Sequence, residues 1–306
     1  MCICNWIKSV IKWFTSNDED DDFVYYTPSE PTDTNVSSGN KKKALLVGIN
    51  KYICNHEYDL NGCVNDIIAI KEILIDNFGF RLNDIKILTD ENATKENILD
   101  GLQWLISNTI DGDELLFYYS GHGSQIIDED EIDETIDRLD EIICPTDMNW
   151  DEPLTDDILH SYFKNIPDGV FLNCVIDACH SGTITRSLQN NTVRFIPYPK
   201  NRKPKRSVIK RKFAVSNWKE EQNHILLSGC TDEQTSEDAY IEDNWRGAMS
   251  WAFTTALKNA NYNSTWDDIY LGVLKLIEDN QFEQTPQLTG SYYLKDRYVF
   301  GGSVNK

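Results

Sequence analysis

Short apolar runs alternate with amphipathic helical patterns from about residue 43 to residue 300. Runs with the character of buried strands occur at 44–50, 85–90, 114–120, 170–178 and 224–230. Apolar residues at helical spacing occur at 61–77, 93–107, 247–260 and 264–280. A final pair of strands is predicted at 291–300. Because such alternation is typical of parallel sheets covered by helices on both faces, the pattern predicts an α/β domain with a mostly parallel central sheet.

Residues 1–41 precede this alternation and differ in character. Apolar spacing in 1–16 predicts a short amphipathic helix. Acylation of Cys2 and Cys4 would give that helix a second membrane signal, whereas docking on the protein's own surface is the interpretation we favour. An acidic run beginning at residue 18 and the Pro, Ser, Thr, Asn and Gly that follow it predict a linker up to the domain.

Composition and charge argue against several classes of protein. The 306 residues carry a formal net charge of −21, and an acidic surface repels phosphate backbones, so no nucleic-acid partner is expected. The eight cysteines are too sparse for a disulfide framework and lack zinc-site spacing. No apolar run reaches the roughly 18–20 residues of a membrane span, and no secretory signal is evident. We therefore expect a cytoplasmic protein with reduced thiols, with peripheral membrane association through residues 1–16 as the alternative.

Reactive residues follow two of the predicted strands. The third strand runs into Ser120-Gly121-His122-Gly123, and the fourth into Asp177-Ala178-Cys179. Since reactive groups collect beyond the carboxyl ends of strands in open α/β sheets, neighbouring strands would bring His122 and Cys179 together. A histidine within reach lowers a thiol pKa or takes the thiol proton during attack, and the amide of Gly123 is free to donate to an oxyanion. Either residue alone would fit a structural role, but the pair predicts a cysteine nucleophile with a histidine base.

These two motifs resemble those of a known family. SGHGSQ at 120–125 and DACHSG at 177–182 resemble the histidine and cysteine motifs of metacaspases, which are cysteine peptidases related to caspases. Four further stretches agree with this resemblance: 42–52, 60–67, 228–238 and 284–288. The resemblance covers roughly residues 42–300 and implies a caspase-like three-layer α/β/α sandwich. In that fold the large part spans about 42–185, a basic loop 186–222, and the small part about 223–300.

Acidic residues near the same sheet edge predict the specificity. Asp66, Asp177 and Asp232 follow three different strands and can converge there. Carboxylates in a partly dry pocket bind an arginine fork bidentately, or a lysine as a point charge. The resemblance implies the same, because metacaspases cleave after Arg or Lys and use Ser120 and Cys63 beside these acids. A surface role remains open for any single acid among the 50 in the chain.

The loop between the two parts is strongly basic. Residues 194–212 contain nine Lys or Arg and no acid. Such runs are commonly solvated loops, and some bind nucleic acid or act as nuclear signals. In a protease that cuts after basic residues, the same loop is a place for self-processing, as in similar members of the family. Lys200, Arg206 and Lys212 are chemically suitable, and the sequence does not choose between them.

The resemblance also implies a calcium site, although one of its positions is changed. The matching acids are Asp140, Asp156 and Asp157, whereas Arg186 stands where the family has a fourth acid. A hard cation requires several oxygen ligands, and a guanidinium would repel it. We therefore expect weak or altered calcium dependence.

Together these observations predict a cysteine endopeptidase that cleaves protein substrates after Arg or Lys. His122 and Cys179 would act through an acyl-enzyme, and the chain is expected to be a monomer. The alternative is a caspase-like regulatory or scaffold domain with little peptidase activity. The presence of both the cysteine and the histidine favours the enzyme.

Overall fold

The computed structural model describes residues 40–127, 139–179, 191–199, 224–231 and 234–304. Its central sheet contains six strands in the order β12-β9-β7-β3-β1-β2. They are β1 (Lys42–Gly48), β2 (Ile85–Thr89), β3 (Glu114–Ser120), β7 (Phe171–Asp177), β9 (His224–Ser228) and β12 (Gln287–Thr289). All neighbours pair in parallel except β12, which is antiparallel to β9. The predicted α/β fold with a mostly parallel sheet is confirmed.

The interior strands are apolar because both faces of the sheet are covered. In β1, Ala44 and Leu46 pack into one core, while Leu45 and Val47 pack into the core on the opposite face. This division follows from the alternation of side chains along a strand. A continuous apolar run such as that of β1 is therefore what a sheet between two helical layers requires.

Helices form the two outer layers. They are α1 (Cys63–Phe78), α2 (Lys95–Ile106), α3 (Asp156–Phe163), α4 (Ala248–Asn259), α5 (Trp266–Asp279) and the short α6 (Tyr292–Lys295). Apart from Cys63 at the start of α1, the buried apolar residues of α1, α4 and α5 belong to one core, and those of α2 and α3 belong to the other. Thr94, Thr155 and Thr265 cap the first turns of α2, α3 and α5, each through its side-chain oxygen.

Two small sheets accompany the central one. The first contains β4 (Gly123–Ile127), β5 (Leu139–Ile143) and β6 (Leu154–Thr155), in that order. The second has the order β11-β10-β8 and contains β8 (Thr192–Val193), β10 (Glu237–Ile241) and β11 (Asn244–Gly247). β4 begins three residues after β3 ends, and β8 and β10 belong to segments that follow β7 and β9. Both small sheets are therefore connected to the carboxyl edge of the central sheet.

The predicted strand pair at 291–300 is wrong. Residues Tyr292–Lys295 form α6, because the Ser291 side chain caps the turn by accepting a hydrogen bond from the amide of Leu294. Val299–Gly301 is a 3-10 turn in which Phe300 has a positive φ of 52°. The last strand of the sheet is instead β12, which lies earlier in the chain.

Several predictions fall on residues outside the described ranges. These are the N-terminal segment, most of the basic loop, Arg186 and Asp232. Within the ranges that the structure describes, no helix is both long enough and apolar enough to cross a bilayer.

Candidate active site

The two reactive motifs meet at one edge of the sheet. β3 and β7 are parallel neighbours, and their register pairs Ser120 with Asp177, the last residue of each strand. The amide of Gly121 donates to the carbonyl of Asp177 at 3.3 Å, so the chains stay adjacent beyond the strands. His122 and Cys179 therefore follow the strands at the same level, and both are buried.

The ring of His122 is held in one orientation. Its Nε2 lies 2.8 Å from the carbonyl oxygen of Tyr58, and its backbone amide donates to the hydroxyl of Tyr52 at 2.8 Å. A carbonyl only accepts hydrogen bonds, so Nε2 carries the hydrogen and Nδ1 is the basic nitrogen. This Nδ1 is buried and has no hydrogen-bond partner among the described residues.

Both groups of the pair are neutral when buried as they are here. Burial lowers the pKa of His122 to about 4, and it raises the pKa of the Cys179 thiol well above its ordinary value. The thiol sulfur contacts the backbone amide of Ser236 and lies 3.4 Å from the carbonyl oxygen of that residue. Of the two roles expected for the histidine, taking the thiol proton during attack therefore fits better than holding a resting thiolate.

Residues 191–199 of the basic loop cross this site, with a bend at Arg194. The carbonyl oxygen of Arg194 accepts hydrogen bonds from the amides of Gly123, at 3.0 Å, and Cys179, at 3.2 Å. Two backbone N–H groups that converge on one carbonyl oxygen form the arrangement that stabilises a developing oxyanion. The amide of Arg194 donates to the carbonyl oxygen of Ser236 at 3.0 Å, and the amide of Ile196 donates to the carbonyl oxygen of Gly123 at 3.0 Å.

The side chain of Arg194 fills an acidic pocket beside the thiol. Its Nη2 lies 3.0 Å from Asp66 Oδ2 and 2.9 Å from Asp238 Oδ1. Its Nη1 lies 3.1 Å from Asp177 Oδ2 and 2.8 Å from the hydroxyl of Ser120. The side chains of Arg194 and all three aspartates are 0% exposed. The pocket therefore binds both ends of a guanidinium fork out of contact with water.

Surrounding groups hold the carboxylates of this pocket in place. Asp66 also pairs with Arg246, at 2.7 Å from Nε, and accepts from the amide of Gly247. Asp177 accepts a hydrogen bond from the amide of Ser250, in the first turn of α4, at 2.9 Å. The N-terminus of α4 therefore supplies a backbone donor to this carboxyl group.

Gly247 leaves the space that the guanidinium occupies. A Cβ atom at this position would lie 2.2 Å from Asp177 Oδ2 and 2.4 Å from Arg194 Nη1. Real Cβ atoms do not approach other heavy atoms so closely, and backbone on both sides of Gly247 is tied into β11 and α4. A side chain at 247 would therefore displace either the carboxylate or the guanidinium.

The structure brings most of the predicted site residues together. Gly123 and Cys179 donate to the Arg194 carbonyl, and Ser120, Asp66 and Asp177 contact its guanidinium. His122 is also near, because the charge of Arg194 adds to the burial that lowers the His122 pKa. Burial raises the pKa of the Cys63 thiol, and the charge of Arg194 opposes this rise. Cys63 therefore also lies near Arg194. Asp232 lies outside the described residues.

Comparison with known proteins identifies the family. Residues 42–187 match the model of the metacaspase, peptidase C14 domain. Metacaspase-1 of Ajellomyces capsulatus is 33% identical, over 85% of this chain and 82% of its own length. The chain belongs to the metacaspase family. Metacaspase-1A of Neurospora crassa is also 33% identical over 82% of this metacaspase, which spans 63% of that relative's length.

Solved structures agree on the fold. The protein GSU0716 from Geobacter sulfurreducens has a TM-score of 0.64 and 23% identity, covering 86% of this metacaspase and 99% of its own chain. Caspase-1 from Spodoptera frugiperda has a TM-score of 0.55 and 15% identity, covering 92% of this metacaspase and 99% of its own chain. At these identities the comparison supports the caspase-like sandwich and nothing finer.

The three acids predicted to bind calcium lie in two neighbouring elements of this metacaspase. Asp140 lies in β5, and Asp156 and Asp157 begin α3. Burial and the charges of Asp157, Asp140 and Glu141 raise the pKa of Asp156 to about 7, so these acids are neighbours. However, among the described residues no three acidic, histidine or cysteine side chains are arranged to hold a metal ion.

Sequence reasoning missed four contributors to the site. Asp238 completes the acidic pocket, Ser236 binds the Arg194 amide, and the Tyr58 carbonyl orients His122. Arg194 itself is the fourth. Asp238 closes the stretch 228–238 that resembles the family, which was the one available signal for it. Nothing in the sequence separates Arg194 from the eight other basic residues of 194–212.

Proposed function

We propose that this metacaspase is a cysteine endopeptidase that cleaves protein substrates after Arg or Lys. The supporting observation is the position of Arg194, whose guanidinium contacts Asp66, Asp177 and Asp238. Its carbonyl oxygen at the same time accepts from the amides of Gly123 and Cys179. A basic side chain in this pocket therefore presents its own carbonyl group to the nucleophile.

The reaction proceeds through an acyl-enzyme. The Cys179 thiol attacks the substrate carbonyl carbon as Nδ1 of His122 takes its proton, and the oxyanion is stabilised by the two amides. His122 then gives the proton to the departing amine as the peptide bond breaks, which leaves a thioester on Cys179. Water, deprotonated by His122, hydrolyses the thioester and returns the free thiol.

Charge explains the choice of substrate. Three buried carboxylates face the pocket, and Arg246 balances only part of their charge. An Asp or Glu side chain would add a further carboxylate at close range in a dry pocket, which is strongly unfavourable. Basic residues are therefore accepted and acidic ones are excluded.

Three properties accompany this function as part of the proposal. The enzyme processes itself within the basic loop, acts as a monomer, and depends on calcium weakly or in an altered way. The last expectation rests on Arg186 at the position where the family has an acid.

Hydrolysis of matched fluorogenic peptides tests the proposal. Peptides that end in Arg, Lys or Asp before the reporter are followed over a long incubation with the full chain, with and without calcium. The variant Cys179→Ala is the control that lacks the nucleophile, and circular dichroism confirms that it is folded. We expect hydrolysis after Arg and Lys that the variant loses. Folded wild type that hydrolyses none of them would favour the scaffold alternative, and hydrolysis after Asp would contradict the role of the pocket.

A further inference from the structure

The segment 191–199 occupies the active site with its backbone as well as with one side chain. An ion pair that served stability alone would need only the guanidinium of Arg194. Here β8 pairs with β10 in antiparallel register, with Val193 opposite Glu237 and Thr192 opposite Asp238. On the other side of Arg194, Phe195 forms a parallel bridge with Gly123.

These contacts fix which peptide bond lies at the catalytic groups. The hydrogen bonds run in order along the segment, from the Arg194 amide, through its carbonyl, to the Ile196 amide. The carbonyl that sits between the amides of Gly123 and Cys179 belongs to Arg194. The bond that follows this carbonyl joins Arg194 to Phe195, and no neighbouring bond has the same surroundings.

We propose that this metacaspase's first substrate is its own segment 191–199, cut between Arg194 and Phe195. The inference rests on the proposed function and assigns the self-processing bond within it. The sites considered from sequence, Lys200, Arg206 and Lys212, lie outside the described residues. Arg194 is the basic residue of the loop that the acidic pocket holds.

The chemistry balances with water as the one added reactant. Sγ of Cys179 forms a thioester with the carbonyl carbon of Arg194, and the bond from that carbon to the nitrogen of Phe195 breaks. The thiol proton passes through His122 to that nitrogen, which becomes a free amino terminus. Hydrolysis of the thioester then leaves a carboxylate on Arg194 and restores the thiol.

The burial of the segment indicates which flanking positions the enzyme reads. Ile196 is completely buried in the core that covers one face of the sheet, and its carbonyl accepts from the hydroxyl of Ser124. Thr192 is exposed, whereas Val193 and Phe195 are half-buried. A separate protein substrate should therefore need a basic residue at the cut and an apolar residue two positions after it, with little selection at the position of Thr192.

The experiment that tests this inference determines where the full chain is cut. Wild type is incubated, and the fragments are analysed by intact mass and amino-terminal sequencing. We expect a new terminus that begins Phe-Ile-Pro, in wild type and in the matched loop control Arg206→Gln, and we expect no cut in Cys179→Ala. The fluorogenic Arg peptide is assayed in parallel.

Phe195→Pro supplies the test variant. The amide of Phe195 makes no hydrogen bond among the described residues, so proline removes none of the backbone hydrogen bonds that hold the segment, while it replaces the leaving nitrogen. We expect the bond after Arg194 to stay intact in this variant. Thermal melting checks its folding. If Phe195→Pro does not fold, Arg194→Lys is used instead; it keeps the charge but loses one end of the guanidinium fork, so we expect the cut at the same bond but at a lower rate than in wild type.

The outcomes separate this inference from the proposed function. If wild type hydrolyses the Arg peptide but keeps the 194–195 bond, or is cut after another basic residue first, the inference is wrong and the proposed function stands. If neither the peptide nor the chain is cut, both are wrong. A terminus at Phe195 that depends on Cys179 supports both.

Discussion

The shape of the acidic pocket predicts that this metacaspase prefers arginine to lysine. The two terminal nitrogens of the Arg194 guanidinium contact different partners, with Asp66 and Asp238 on Nη2 and Asp177 on Nη1. A lysine has one ammonium nitrogen, which can occupy one of these positions but not both. Replacing arginine by lysine in the substrate therefore leaves at least one buried carboxylate without a charged hydrogen-bond donor.

The size of the preference follows from that lost contact. A hydrogen bond to a charged group contributes about 1.5–3 kcal/mol. Each 1.36 kcal/mol corresponds to a tenfold change in rate, so kcat/KM should fall roughly 10- to 150-fold. A water molecule that enters the space would place the result toward the lower end of this range.

Two fluorogenic peptides measure the preference on self-processed enzyme. Both carry Thr-Val before the cleaved residue, as in the chain itself, and they differ only in Arg or Lys at that residue. A peptide with Asp there reports background. Equal kcat/KM values, or a higher value for lysine, would refute the reasoning that both ends of the guanidinium are bound.

Four further predictions concern other parts of the protein. Gly247→Ala should abolish hydrolysis of the Arg peptide in a protein that remains folded by circular dichroism, because the added Cβ takes the place of Nη1. His122→Ala should slow self-cleavage by roughly 10²–10⁴-fold. Because the folded-state pKa of His122 is lowered to about 4, the ring stays neutral down to that pH. Self-cleavage measured after pH jumps should therefore persist at pH 5 and fail near pH 4. Loss of self-cleavage already near the ordinary histidine pKa would contradict this prediction. Chelation of calcium should change the peptidase rate little, whereas strong stimulation that Asp156→Asn removes would establish the metal site.

The central sheet could be predicted from the sequence because its interior strands are apolar. β1, β3 and β7 are buried on both faces, so each appears as a continuous apolar run, and the motifs that follow β3 and β7 locate His122 and Cys179. The short strands of the two small sheets have no such run, since their positions depend on pairing with distant segments. The predicted strands at 291–300 failed for a related reason, because the cap at Ser291 outweighs the apolar pattern.

The acidic pocket was predictable only in part. Asp66 and Asp177 follow strands and could be placed at the sheet edge, but Asp238 enters from β10, whose position is set by its pairing with β8 and β11. The role of Arg194 depends on the same pairing. Local sequence does not encode such contacts between segments, so no reading of charge or spacing would have singled out this arginine.

Arg194 has a consequence for how the domain folds. Three aspartates with no exposed side-chain area close on one guanidinium, and Arg246 contacts only one of them. Breaking a buried ion pair by removing one partner typically costs about 3–5 kcal/mol, so the pocket is least stable when it is empty. The acidic pocket is therefore expected to form around Arg194, and in the proposed self-cleavage Arg194 would leave only after the pocket has formed. After such a cut, an arginine-bearing ligand that fills the pocket should stabilise the folded enzyme by an amount that grows with the logarithm of the ligand concentration.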